Sequence, residues 1–160
     1  MLVLILGLII VLLDQLTKLW VRTSFIYGGD PQAVIPGFFN LVYVRNEGAA
    51  WGMFGGQMPA LIILSIVVLI LLAVYHRKVL NPTPDHRIAL GLMIGGICGN
   101  LIDRIRVGWV TDFLDFHLGA CHWPSFNVAD SAICIAVGIY LLSSLWHTRH
   151  PLKSSANESK

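Results

Sequence analysis

The sequence predicts a membrane all-α protein with four transmembrane helices and one short extended element in the loop between the first two. Two observations carry this. Hydrophobic residues make up 56% of the 160-residue chain and charged residues only 12%, where a soluble domain carries about 25% charged. The apolar residues also fall into four runs, near 1–20, 58–75, 88–105 and 128–146, each close to the ~20 residues that cross about 30 Å of hydrocarbon. A single domain, residues 1–146, uses almost the whole length, and residues 147–160 form a polar tail. A formal net charge of +2 indicates no surface for nucleic acid. The three cysteines, Cys98, Cys121 and Cys134, are odd in number and lack C-x-x-C spacing, so neither a disulfide framework nor a zinc ribbon is expected.

Span 1 opens with the uninterrupted apolar run Met1–Leu13. At ~1.5 Å per residue this run covers only about 20 Å, so the helix continues through Asp14, Thr17 and Lys18 to about Trp20. It lacks a basic start and an A-x-A site, and reads as a retained membrane helix rather than a cleaved leader. In the 1–2 loop, Phe38–Val44 (FFNLVYV) is aromatic and β-branched, a strand or hairpin candidate. Gly48, Gly52, Gly55 and Gly56 follow it, in a segment suited to rest on the membrane surface or to act as a surface-anchored linker. Span 2 is Met58–Tyr75, span 3 Ile88–Ile105 and span 4 Val128–Trp146. The 2–3 loop carries Arg77, Lys78 and Arg87, and the tail carries Arg149, Lys153 and Lys160. The opposite side carries Arg22, Arg45, Arg104 and Arg106, spread over longer segments that also hold Asp30, Glu47, Asp112 and Asp115. The bias favours both termini in the cytoplasm and the 1–2 and 3–4 loops outside.

Acids near lipid are costly and need a reason to be there. Asp14 and Lys18 are four apart on one helical face, spaced to pair. They serve either as an ion pair that orients the helix or in chemistry. In span 3, Gly91, Gly95 and Gly99 repeat at four-residue spacing and Asp103 continues the stripe. Small residues admit a close neighbouring helix, and rise counting puts Asp103 and Asp14 at similar depth. Asn100 and Arg104 flank Asp103, as a structural polar network or as part of a site. Before span 4, Asn127 is placed to cap the helix, with Asp130 in its first turn. A helix N-terminus favours an ionised carboxylate, which suggests that Asp130 is the more acidic of the pair Asp112 and Asp130. Asp115 is three residues from Asp112, and spacing alone does not choose between them. His117, Cys121 and His122 match no zinc spacing and read as a surface loop near headgroups, with Trp109 and Trp123 at the interface. No metal or cofactor is expected. A proton-coupled transporter would spread its acids through the membrane and show an inverted repeat; here the acids gather toward one face.

Five segments together resemble the bacterial lipoprotein signal peptidase family, signal peptidase II: Asp14–Lys18 (DQLTK), Asn46–Ala50 (NEGAA), Gly99–Arg104 (GNLIDR), Val110–Phe113 (VTDF) and Phe126–Asp130 (FNVAD). Their order and their placement on the spans make the match. The resemblance implies an intramembrane aspartyl endopeptidase of the bacterial inner membrane with its site near the outer face. Its substrates would be diacylglyceryl-modified prolipoproteins, cut just before the lipidated cysteine while the acyl chains stay in membrane lipid. It implies Asp112 and Asp130 as the catalytic dyad, and it is the resemblance that selects Asp112 over Asp115. It implies Asn46, Asn100, Arg104 and Asn127 as substrate contacts, and Asp14, Lys18, Gly48, Asp103 and Ala129 as structural support. It also implies a small extracytoplasmic β-cradle and an amphipathic helix in the 1–2 loop. A monomer is expected, because four helices can enclose one site.

Overall fold

The computed structural model describes residues 1–48, 56–79 and 83–149, the side chains of 75–79 and 149 excepted. The amphipathic helix expected in the 1–2 loop and residues 150–160 of the tail lie outside the described residues. The elements are, in chain order, α1 (Leu2–Ser24), β1 (Gln32–Ile35), β2 (Phe39–Asn46), α2 (Met58–Val79), α3 (Pro84–Arg106), β3 (Val110–Leu118), β4 (Cys121–His122) and α4 (Val128–Arg149).

Three helices, α1, α3 and α4, are long and apolar enough to cross a membrane. In α2 the apolar stretch with described side chains, Met58–Val74, is shorter. The bundle is inside-out relative to a soluble one. On α1 the buried residues are Gly7, Asp14, Lys18 and Val21, while Leu4, Leu8 and Leu16 are 76%, 60% and 62% exposed. Apolar side chains face the surroundings because lipid tails solvate them as well as protein does, and the polar ones turn inward.

The span ends differ from the sequence reading in instructive ways. Helix α3 starts at Pro84 rather than Ile88, with Thr83 at the cap position and Asp85 in the first turn. Proline loses nothing at the first helical position, where its missing N–H has no partner anyway. Helix α1 continues past Trp20 to Ser24, which brings Arg22 into its last turn.

The glycine stripe of α3 does the packing expected of it. A β-carbon on Gly91 would lie 2.9 Å from Leu6 Cβ, and one on Gly95 would lie 2.8 Å from the Gly7 carbonyl oxygen. Gly96, on the next face, meets α4 instead: its added carbon would lie 2.5 Å from the Ala129 carbonyl oxygen. The two faces of one glycine-rich segment thus hold α1 and α4, and α2 packs chiefly on α3.

The extended element is larger than the sequence indicated. It is a four-stranded antiparallel sheet of order β1-β2-β3-β4. The FFNLVYV run supplies β2, and Ile35-Pro36-Gly37-Phe38 forms the hairpin turn to β1. The Phe38 N–H bonds the Ile35 carbonyl at 3.0 Å, and Gly37 takes the positive φ of 78° that a type II turn needs after proline. The 3–4 segment, read as a surface loop, is β3 and β4. Its alternation is confined to Leu114–Leu118, and its main partner β2 is far off in sequence, so the local pattern was weak. Gly108, at φ 83°, reverses the chain between the last turn of α3 and β3.

Gly96→Ala has no room against a backbone oxygen. It is expected to destabilise the protein by about 1–3 kcal/mol, as overpacking of a filled contact does, read as a lowered unfolding midpoint in detergent.

Candidate active site

The site lies where the C-terminal ends of α1 and α3 meet the start of α4 and the first half of β3. At its base is Lys18, 0% exposed. Its ammonium group contacts Asp14 Oδ2 at 2.9 Å, Asp103 Oδ2 at 3.4 Å and Asn100 Oδ1 at 2.9 Å. A buried ammonium is tolerable only with its three donors engaged, and here each has a partner. Asp14 also accepts the Ala129 N–H at 3.0 Å through Oδ1, one of the unpaired donors at the start of α4. Asp103 takes the Thr111 backbone N–H at 3.0 Å and Arg22 Nη1 at 3.2 Å. Gln15 bridges the two acids, donating to Asp14 Oδ2 and Asp103 Oδ1 at 3.2 Å each. Asp14 and Asp103 therefore do sit at one depth, and they join α1, α3, β3 and α4. Gln15, Arg22 and Thr111 are partners that the sequence reading did not single out.

Above this base stand Asp112 and Asp130. Helix α4 opens with a reciprocal cap. The Asp130 N–H donates to Asn127 Oδ1 at 3.0 Å, and the Asn127 N–H donates to Asp130 Oδ2 at 3.2 Å. This is the capping-box pattern, with an aspartate at the third helical position. Asn127 Nδ2 then reaches Asp112 Oδ1 at 2.7 Å, so one residue links the cap to both carboxylates. Asn46 Nδ2 donates to Asp112 Oδ2 at 3.0 Å, while its own Oδ1 accepts the Gly48 N–H at 2.9 Å. Asn100 Nδ2 donates to Asp130 Oδ1 at 2.7 Å. Arg104 reaches the Gly48 carbonyl at 3.4 Å. Its Nε is buried and has no hydrogen-bond partner among the described residues.

Burial, followed by repulsion from Asp130, pushes the Asp112 carboxyl up from the ordinary carboxylate range to about 7, against the opposing hydrogen bonds from Asn46 and Asn127. Asp112 is thus protonated below about pH 7. Because the folded state binds this proton more tightly, the linked stability is full below the unfolded carboxylate value and fades as pH rises through about 7. Asp115 behaves oppositely. Burial would raise it, but hydrogen bonds from His122 at 2.9 Å and Asn40 at 2.9 Å hold it below the ordinary range. It lies an odd number of residues from Asp112 along β3, so the two side chains leave opposite faces of the strand. Strand parity thus separates the two, a signal available once β3 is recognised. His117 and His122 pair across β3 and β4 with stacked rings 4.7 Å apart.

Asp112 and Asp130 open into one cavity of about 900 Å³, lined among the described residues by Asn46, Asn100, Arg104 and Phe126, with Ser65, Ile97 and Ile133 from the helices. Its size suits an organic ligand or peptide. Of the residues that the sequence put forward, Asn46, Gly48, Asn100, Arg104, Asp112 and Asp130 face this cavity. Asn127 lies just beneath it, fully buried, as do Asp14, Lys18, Asp103 and Ala129 at or below 1% exposure.

A family model described as Signal peptidase (SPase) II matches residues 6–146. The chain belongs to the signal peptidase II family. That membership makes it a membrane-embedded peptidase. It is 46% identical over 144 residues to a lipoprotein signal peptidase of Syntrophotalea carbinolica, covering 88% of each chain. It is 43% identical over 141 residues to that of Geobacter sulfurreducens, covering 86% of this chain and 87% of that one. The fold is also similar to a bacterial membrane enzyme solved by the in meso method at 2.3 Å, with a TM-score of 0.86 and 34% identity, covering 99% of this chain and 94% of that one.

In an infrared titration of the purified peptidase, the Asp112 carboxyl band is expected to disappear with a midpoint near 7. Asn46→Ala removes a donor that favours the ionised form, so the midpoint should move to higher pH. A midpoint unmoved or lowered in that variant contradicts the assigned hydrogen bond.

Proposed function

We propose that this peptidase is an intramembrane aspartyl endopeptidase that removes the signal peptide from diacylglyceryl-modified prolipoproteins, cutting just before the lipidated cysteine. The observation that carries the mechanism is that Asp112 and Asp130 open into one cavity in unlike surroundings. Asp130 accepts two hydrogen bonds at a helix N-terminus, which suits the ionised base. Asp112, buried and repelled by Asp130, suits the protonated acid. The balance of charge supports one retained proton: among the described residues the five acids Asp14, Glu47, Asp103, Asp112 and Asp130 share this region with the four cations Lys18, Arg22, Arg45 and Arg104.

Asp130 draws a proton from a water while the water oxygen attacks the scissile carbonyl carbon, and Asp112 gives its proton to the carbonyl oxygen. The tetrahedral intermediate then breaks its carbon–nitrogen bond. The leaving amine takes the proton held by Asp130, and the new acid's hydroxyl proton returns to Asp112. No acyl-enzyme forms and the dyad is restored. Arg104 lines the cavity, and its guanidinium, whose Nε has no partner among the described residues, is placed to hold a substrate carbonyl. Asn46 and Asn100 bind the carboxylates in the free peptidase and, lining the cavity, offer further polar contacts to the substrate backbone. Asn127, read from the resemblance as a substrate contact, is buried beneath the cavity and positions the two carboxylates instead.

We assign α2 as a fourth span, since its 22 residues rise about 33 Å. With both termini cytoplasmic, the sheet forms a cradle on the outer face and the site lies near that surface of the bacterial inner membrane. Asp112→Asn and Asp130→Asn should each lower cleavage of a purified lipidated prolipoprotein by about 10³-fold or more. Chelators should leave the wild-type rate unchanged, and an unlipidated copy should be cut far more slowly. Cleavage that survives either substitution would remove the dyad, and equal cutting of both substrates would remove the lipid requirement.

A further inference from the structure

We infer that Lys18 is a positioning residue for the reaction: it fixes the direction of the Asn100 amide and so makes Asn100 a donor to Asp130. The inference rests on the dyad reading above and gives the buried lysine a part in it beyond structural support.

A primary amide has a donating end and an accepting end of nearly equal shape, and only its neighbours decide which end points where. Each of three amides around the dyad has its oxygen occupied by a group that can only donate. Asn46 Oδ1 meets the Gly48 N–H, and Asn127 Oδ1 meets the Asp130 N–H. These are backbone donors, set by the turn and by the helix. Among the described residues the Asn100 oxygen has no backbone donor. It accepts from Lys18 Nζ at 2.9 Å and from Asn127 Nδ2 at 3.2 Å. An ammonium carries three donors and no acceptor, so beside Lys18 the Asn100 oxygen must face inward. The NH₂ group is then directed outward to Asp130 Oδ1 at 2.7 Å. Turned the other way, Asn100 would set its oxygen against a carboxylate and its NH₂ against an ammonium.

The result is a directed chain from Lys18 through Asn100 to Asp130. A carboxylate that accepts N–H bonds is favoured in its ionised form, so the chain keeps Asp130 as proton acceptor and leaves the retained proton to Asp112. The charged groups around it are Asp14 and Arg22 from α1, Asp103 and Arg104 from α3, Asp112 from β3 and Asp130 itself from α4. None of these is bonded to the Asn100 oxygen among the described residues; the charged group that touches it is Lys18.

The test is the pH profile of kcat/KM on a lipidated prolipoprotein, whose acid limb reports the base of the free peptidase. Lys18→Met should lower kcat by about 10²-fold with little change in KM, and should move the acid limb about one unit to higher pH. Lys18→Arg, which keeps an obligate donor, should hold the limb near its wild-type position. In an Asn100→Ala background, Lys18→Met should cause no further displacement, because the path runs through Asn100. If Lys18→Met does not fold, Lys18→Gln carries the test. Its amide can donate or accept, and it should move the limb in the same direction by less.

An acid limb unmoved in the folded Lys18 variants would leave the lysine a packing role only and overturn the inference. A full displacement that persists without Asn100 would overturn it as well, since the charge would then act directly. Asp112→Asn and Asp130→Asn controls separate this from failure of the dyad itself: if they retain cleavage, both readings fall, and if they are inactive while the limb is unmoved, only this one does.

Discussion

The structure depends on one buried ammonium. Lys18 is placed among Asp14, Asp103 and Asn100 with no exposure, and a charge so buried is tolerated only when every donor is used. Through its two acids it reaches the Ala129 and Thr111 backbone N–H groups. Those are the points where α4 begins and where β3 leaves the bundle. In lipid no hydrophobic driving force holds the helices together, which leaves close packing and polar bonds to do so. The helices could not separate without stranding this ion cluster. The glycines of α3 make the cluster possible by bringing α1 and α4 close. A β-carbon at Gly99 would lie 2.6 Å from Asp14 Oδ2.

The same cluster bears on why two aspartates of one cavity differ. Asp130 belongs to a helix cap and is held by donors that the fold supplies. Asp112 belongs to a strand, is 2% exposed, and faces the negative charge of its partner. In the proposed dyad, environment rather than residue type assigns acid and base. The amides between them carry the asymmetry. Asn127 serves the cap with its oxygen and Asp112 with its nitrogen. Replacing it would disturb helix start and dyad together, so loss of activity there is ambiguous in a way that it is not for Asn100.

Much of this was legible in the sequence. The spans follow from apolar runs, the Asp14–Lys18 pair and the glycine stripe from helical periodicity, and the cap from Asn127 and Asp130. These are local patterns, set by residues a few positions apart. The sheet was only half visible. β2 showed in FFNLVYV, but β3 derives most of its definition from pairing with a strand some seventy positions away. Without β3, Asp112 and Asp115 could not be assigned to opposite faces, and the resemblance had to choose. The partnership of Arg22 with Asp103 is not legible because the apolar pattern carries the helix only to about Trp20, and that of Thr111 is not because its bond to Asp103 is made by backbone. The second face of the glycine segment, at Gly96, follows from no single four-residue stripe.

The measurement that bears most directly on the dyad is the pH dependence of kcat/KM for the purified wild-type peptidase on a lipidated prolipoprotein. With Asp112 as the acid at about 7, the rate should fall as pH rises through that value, because the proton destined for the carbonyl oxygen is lost. A rate constant held level, or still rising, well above pH 7 would contradict a protonated Asp112 and with it the division of labour between the two aspartates.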